Sequence, residues 1–232
     1  MSGALIPATV LAVVIGYFLG SLPIAAPLSR RAGVDIFEVG TGLPGASNVM
    51  RNVGRAPAVL VLLGDMAKGA LAVVIGKYLG VEAPLLVLPA GAAVLGHWRS
   101  IFSRFRGGDG LATLGGAIVA LFPIFGIVAV AVAMVVSLGG QKLPYTSLLG
   151  IVFGYGTLAL LNLAYDGQSV AVMGVIDEGD IATALGIGGV SALVLAHALH
   201  GHRRRRNSTE SEIEAEPIEE VRAPDNSGSQ SS

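Results

Sequence analysis

The chain has 232 residues, 53% of them hydrophobic and 13% charged, with a mean hydropathy of +0.70; a soluble domain of this size carries about a quarter charged residues. The formal net charge of −1 hides a segregation: most acids lie at or beyond Asp166, while Arg203–Arg206 form an unbroken basic run. The absence of cysteine excludes disulfides and thiolate-held metals, and the four histidines (His97, His197, His200, His202) have no metal-motif spacing.

In chain order, apolar runs occupy residues 5–25, 57–80, 84–101, 110–137, 145–165 and 184–202. Their lengths approach or exceed the roughly 20 residues that cross a bilayer as a helix, which makes this a polytopic membrane protein. The first run has no Lys or Arg before it and Arg30-Arg31 after it. A secretory signal peptide has the reverse arrangement, so the run is expected to be a retained span with its N-terminus outside. The fourth run is too long for one span and contains Phe122-Pro123, where a helix is expected to break. Split into 109–121 and 123–139, it brings the count to seven. The arginines of loops 26–56 and 98–109, Lys142 and the Arg203–Arg206 run then fall on the cytoplasmic side, as the positive-inside tendency requires. Residues 1–206 are thus expected to form an all-α, seven-span membrane domain, N-out and C-in. Residues 207–232, rich in Ser and Glu, are expected to form a disordered cytoplasmic tail. The arginine run beside the last span suits anionic headgroups.

Four polar constellations interrupt this apolar background. GTGLPGASNVMR (40–51) gathers Thr41, Ser47, Asn48 and Arg51 among glycines. Such hydroxyl, amide and guanidinium donors suit phosphate oxygens, although an ordinary Gly/Pro turn has the same composition. Asp65 and Lys68 stand three residues apart within an apolar run, on one helix face. Ionisable groups at that depth are functional or form a structural pair. His97 precedes RFRGGDGLATLGG (104–116), whose Gly107, Gly108 and Gly110 let backbone N–H groups approach an anion closely, with Thr113 following. A packed interfacial histidine and glycines that allow close helix contact are the competing reading there. Tyr145-Thr-Ser147 opens the next span, where Ser147 is either functional or a helix cap.

In succession these stretches resemble the bacterial membrane glycerol-3-phosphate acyltransferases of the acyl-phosphate-dependent type. The family's Gly-Ser-Ile-Pro and Gly-x-Asp-Ile correspond to Gly20-Ser21-Leu22-Pro23 and Gly33-Val34-Asp35-Ile36, followed by residues 40–51. Its Asp-x-x-Lys-Gly corresponds to Asp65–Gly69, its Gly-His and glycine loop to Gly96-His97 and FRGGDGLAT (105–113), and its Tyr-x-Ser-Leu to Tyr145–Leu148. The ordered match spans residues 16–150.

The resemblance implies seven helices in the inner (plasma) membrane and a cytoplasm-facing site. It implies transfer of a fatty acyl group from acyl phosphate to glycerol 3-phosphate, giving lysophosphatidate, without metal or cofactor and with no nucleic-acid partner. It further implies catalytic roles for Ser147 and His197. Thr41, Ser47, Asn48, Arg51, Asp65, Lys68, His97, Gly107, Gly108, Gly110 and Thr113 are implied to bind substrate. Leu43 stands where the family has asparagine, Asp109 where it has the loop lysine, and Pro144 where it commonly has arginine. The family's C-terminal motif is reduced to His197 and the residues after it. Two other readings fit the same residues: a divergent paralogue that binds lipid or regulates, and a small-solute transporter with broken helices around Asp65 and Lys68.

Overall fold

The computed structural model describes the backbone of residues 2–139, 146–165 and 180–215, and the side chains of 5–137, 148–165 and 180–201. These residues are helical, with no strand among them: α1 (Ser2–Ser21), α2 (Ala25–Arg31), α3 (Ala46–Asn52), α4 (Arg55–Tyr78), α5 (Val87–Trp98), a 3-10 turn (Ile101–Ser103), α6 (Leu111–Leu121), α7 (Pro123–Gly139), α8 (Thr146–Ala164) and α9 (Ile181–Ala215). The chain divides into two compact units, 1–198 and 199–232. In the second, the described backbone (199–215) is helical, extending into the stretch expected to be a tail; residues 216–232 lie outside the described ones.

Three stretches are long and apolar enough to cross a membrane: Leu5–Arg31, Arg55–Tyr78 and Ile181–Gly201. Leu111–Leu121, Pro123–Ser137 and Leu148–Ala164 are shorter apolar helices. The long fourth run does break at Phe122-Pro123. Phe122 is pushed out of helical geometry (φ −132°, ψ 81°) as a residue before proline must be, and α7 starts at Pro123, whose missing N–H is not needed there.

Helix α4 carries the logic of the fold. Its buried positions include Ala58, Val61, Asp65, Lys68, Ala72 and Gly76, one stripe at helical period. Its opposite face exposes Leu60, Leu63, Leu71 and Val74. A helix apolar on its exposed face is matched to lipid. The stripe packs on α6 at very close range. A Cβ on Gly69 would strike the Thr113 carbonyl, and one on Gly116 the Met66 carbonyl. Small residues at such a seam let two backbones approach where side chains would hold them apart. Helix α5 packs in the same way along α1, and the result sets the C-terminal end of α5 beside the middle of α4.

The segment between α2 and α3 forms its own small core. Ile36, Val49, Ala58 and Val61 are fully buried together with Ala25 and Ala26, and Phe37 and Val39 pack against them. This cap rests on the start of α4, close to the polar part of its stripe.

Candidate functional site

An open cleft lies where the turn after α1, the middle of α4, the end of α5 and the loop before α6 meet. Its wall includes Asp65, Lys68, His97, Arg106, Gly107 and Gly108, with Gly20–Ala26, Pro44, Ser100 and Ser103 completing it. Five of the residues expected to bind substrate are thereby gathered from three separated stretches of sequence.

Asp65 is the centre of this group. Lys68 Nζ donates to its Oδ1 at 2.7 Å, and His97 Nδ1 lies 3.7 Å from the same oxygen, beyond hydrogen-bond reach. All three are buried, at 3%, 5% and 8% relative exposure. The i,i+3 spacing on α4 puts the carboxylate and ammonium on one face, and the α1/α5/α4 packing delivers the imidazole to them.

The glycine loop is folded tightly against His97. Gly108 N–H donates to the His97 carbonyl at 3.2 Å. A Cβ on Gly107 would strike the same carbonyl, and one on Gly108 would meet the imidazole Nε2. The loop therefore shapes the cleft around the histidine, and the Gly108 N–H is already committed to protein. Gly110 adopts the left-handed conformation (φ +81°) and immediately precedes α6. Thr113 follows in the first turn, fully buried with its hydroxyl lacking a hydrogen-bond partner, and does not line the cleft. Before the loop, Arg104 and Phe105 are both left-handed non-glycine residues (φ 54° and 60°). Each costs about 1–3 kcal/mol, strain of the kind found where a site requires a particular backbone path. Hydrogen bonds from Phe105 N to Ser100 O (2.7 Å) and from Arg106 N to Ser103 O (3.0 Å) hold that path.

The 40–51 motif behaves differently. Asn48 is buried, and its Nδ2 donates to the carbonyls of Ile36, Val39 and Leu43 at 3.2, 3.0 and 3.0 Å. Its Oδ1 accepts from Thr41 N at 3.3 Å and Asn52 Nδ2 at 2.8 Å. The side chain is occupied in tying its own loop. Thr41, Ser47, Asn48 and Arg51 are absent from the cleft wall, and Ser47 and Arg51 are exposed. His197 is also absent from the wall; its ring stacks on Trp98 with centroids 4.4 Å apart and planes 14° from parallel. Ser147 lies in the first turn of α8, and its side chain lies outside the described residues.

Sequence reading missed Ser21, Ser100 and Ser103 as wall residues, and had Arg106 only as one of several loop arginines able to supply a cation. Ser21 stood within a quoted motif; Ser100 reaches it only in three dimensions, its Oγ donating to the Ser21 carbonyl at 2.5 Å.

The chain matches the family described as glycerol-3-phosphate acyltransferase over residues 10–204. It is 44% identical to the glycerol-3-phosphate acyltransferase of Rubrobacter xylanophilus over 143 residues, covering 62% of this chain and 70% of the relative. With the enzyme of that name from Roseiflexus sp. it shares 34% identity over 208 residues, covering 89% and 96%. Its fold is similar to a crystal structure of PlsY, an integral membrane glycerol 3-phosphate acyltransferase, in the glycerol 3-phosphate form. That likeness has a TM-score of 0.67 at 24% identity and covers 88% of this chain and 92% of PlsY.

Proposed function

Because this chain belongs to the glycerol-3-phosphate acyltransferase family, we propose that it moves a fatty acyl group from acyl phosphate to glycerol 3-phosphate, giving lysophosphatidate and phosphate. The observation that carries this reading is the convergence of Asp65, Lys68, His97, Gly107 and Gly108 on one cleft. Chemically, a hydroxyl of glycerol 3-phosphate attacks the acyl carbonyl carbon. The new C–O ester bond forms, the acyl–phosphate C–O bond breaks, and the phosphate leaves with the electron pair. The hydroxyl proton is taken up by His97 or by the departing phosphate. Two anionic substrates must be held close together, so positioning and cationic stabilisation supply most of the acceleration. Lys68 is a hydrogen-bond donor on the cleft wall whose direction Asp65 fixes and whose charge it offsets.

His197 acts in this scheme as a support for Trp98 at the end of α5, and Ser147 as a candidate at the start of α8. The membrane domain (1–206) crosses the inner membrane seven times, with the glycine loop and C-terminus cytoplasmic and 207–232 as a tail. The arginine distribution supports that sidedness. Reporter fusions at Asn207 and within 166–180 should report opposite sides.

Purified protein in lipid nanodiscs, given acyl phosphate and labelled glycerol 3-phosphate, should form labelled lysophosphatidate. Acyl-CoA in place of acyl phosphate should not support the reaction. Product formed equally from acyl-CoA would overturn the donor assignment, and no product from either would overturn the activity.

A further inference from the structure

Arg106 is, among the described residues, the one arginine in the cleft wall. Lys68, the other cation there, is buried against Asp65, and the two charges offset each other. Arg51, Arg104 and Arg106 are all exposed, but of the three only Arg106 lines the cleft. The positive charge that the wall offers without a carboxylate partner therefore comes from Arg106.

Its guanidinium is also held in place. The carbon at its centre sits 4.4 Å from the centroid of the Phe37 ring, and Nη2 donates to the Phe37 carbonyl at 3.4 Å. Phe37 belongs to the cap between α2 and α3, anchored on Ile36 and Val49, so one loop supplies the cation and another supplies its seat. A guanidinium over an aromatic face uses its π surface for that contact. Its N–H donors lie in the plane of the group, and the fork matches two oxygens of a phosphate. The left-handed pair Arg104-Phe105 immediately precedes Arg106 in the chain.

We infer that Arg106 is the phosphate-binding arm of the cleft and that Phe37 is the positioning residue that seats it. The ligand class is a phosphate dianion, carried by a phosphomonoester or by an acyl phosphate. This assignment rests on the acyltransferase reading for its substrates, although phosphate binding itself can be measured without turnover.

The test uses the full chain in nanodiscs, with Arg106→Gln, Arg106→Lys, Phe37→Leu and Phe37→Tyr variants and Arg104→Gln as a neighbouring-charge control. Inorganic phosphate binding is followed by phosphorus NMR, and KM is measured separately for glycerol 3-phosphate and for acyl phosphate. Loss of a charge-assisted bidentate contact predicts about a tenfold or greater weakening of phosphate binding in Arg106→Gln. The same variant should raise one KM, and the substrate affected is the one whose phosphate the arm holds. Arg106→Lys should recover only part of the loss. Phe37→Leu should raise the same KM by about threefold, the share expected of one cation–π contact, while Phe37→Tyr, which keeps the ring, stays near the parent. Arg104→Gln should change neither quantity. The inference is overturned if Arg106→Gln leaves phosphate affinity and both KM values unchanged, or if Arg104→Gln has an equal effect. If Arg106→Gln does not fold, Phe37→Leu decides by the same KM. A parent protein that forms no lysophosphatidate but loses phosphate binding with Arg106 would sink the acyltransferase reading and leave this one standing.

Discussion

The indole Nε1 of Trp98 donates to the main-chain carbonyl of Asp109 at 2.8 Å, so the last residue of α5 holds the centre of the glycine loop. The other face of this contact is the His197 ring, stacked on the indole. Trp98→Phe keeps an aromatic surface for His197 and removes the donor. Loss of one partly buried hydrogen bond costs about 1 kcal/mol, so unfolding temperature should fall by only a few degrees. The loop would no longer be fixed over His97, and kcat/KM for lysophosphatidate formation should fall by about tenfold, as expected when a positioning contact is lost. Trp98 is the only tryptophan in the chain, so its fluorescence reports on this loop directly. Emission that shifts when phosphate is added would follow from loop movement. Unchanged kinetics in Trp98→Phe would show that the loop is held by other means.

Asn48 is predicted to matter for stability more than for substrate contact. It satisfies three carbonyls and one main-chain N–H of the 36–48 segment from a buried position. Asn48→Ala removes the partner of all four groups, three of which are only partly buried and can meet water, so the penalty should be about 2–4 kcal/mol, the cost of one or two buried polar groups left unsatisfied. Asn52→Ala removes a neighbour whose main tie is to Asn48 itself, and should cost less. Thermal unfolding in one detergent ranks the two. A KM effect in Asn48→Ala without loss of stability would restore the amide as a direct substrate contact.

The two halves of the site differ in how far the sequence revealed them, and the reason is physical. Asp65 and Lys68 were legible because charges in an apolar run need partners and three residues place them on one helix face. The break at Phe122-Pro123 was legible because proline restricts the residue before it. The Asn48 amide could serve a phosphate or its own loop, and its ties to the loop are visible only in the fold. Arg106 could not be chosen over Arg51 or Arg104 from sequence. What distinguishes it is Phe37, 69 positions earlier in the chain. The tie from Trp98 to Asp109 has the same character, since an indole donor gives no sign of which carbonyl it will meet.

Asp65 and Lys68 form a buried pair, and each is predicted to depend on the other. Asp65→Asn leaves the Lys68 ammonium buried without its carboxylate, which should destabilise the protein by about 3–5 kcal/mol. The double change Asp65→Asn with Lys68→Met removes the stranded charge and should recover much of that loss. Neither protein should form lysophosphatidate at more than a trace. A double-mutant cycle on unfolding temperature tests the coupling, and additive effects would show that the 2.7 Å contact contributes nothing of its own.

Asp109 puts a negative charge on a loop that faces His97 and lies next to the wall of the cleft. The ion pairs among the described residues both belong to Asp65 and leave Asp109 out. Its side chain is half-buried, while its carbonyl is taken by Trp98. Asp109→Lys should therefore break no salt bridge, and unfolding temperature should stay within a degree or two of the parent. The charge changes by two units. At roughly 8 Å and an effective dielectric of 20, each unit is worth about 2 kcal/mol against a phosphate charge, and solvent reduces that at an open cleft. Activity with acyl phosphate should rise by about tenfold or more, each tenfold corresponding to about 1.4 kcal/mol. Because the native carboxylate repels the same ligand, Asp109→Asn should fall between parent and lysine variant. An assay of lysophosphatidate formation beside thermal unfolding separates the outcomes. A rise in the order Asp, Asn, Lys means that the loop charge limits phosphate use. A loss of stability in Asp109→Lys would mean that the carboxylate holds the loop through a contact with the surrounding arginines. Activity that ignores all three side chains would place position 109 outside the field felt by the reacting phosphate.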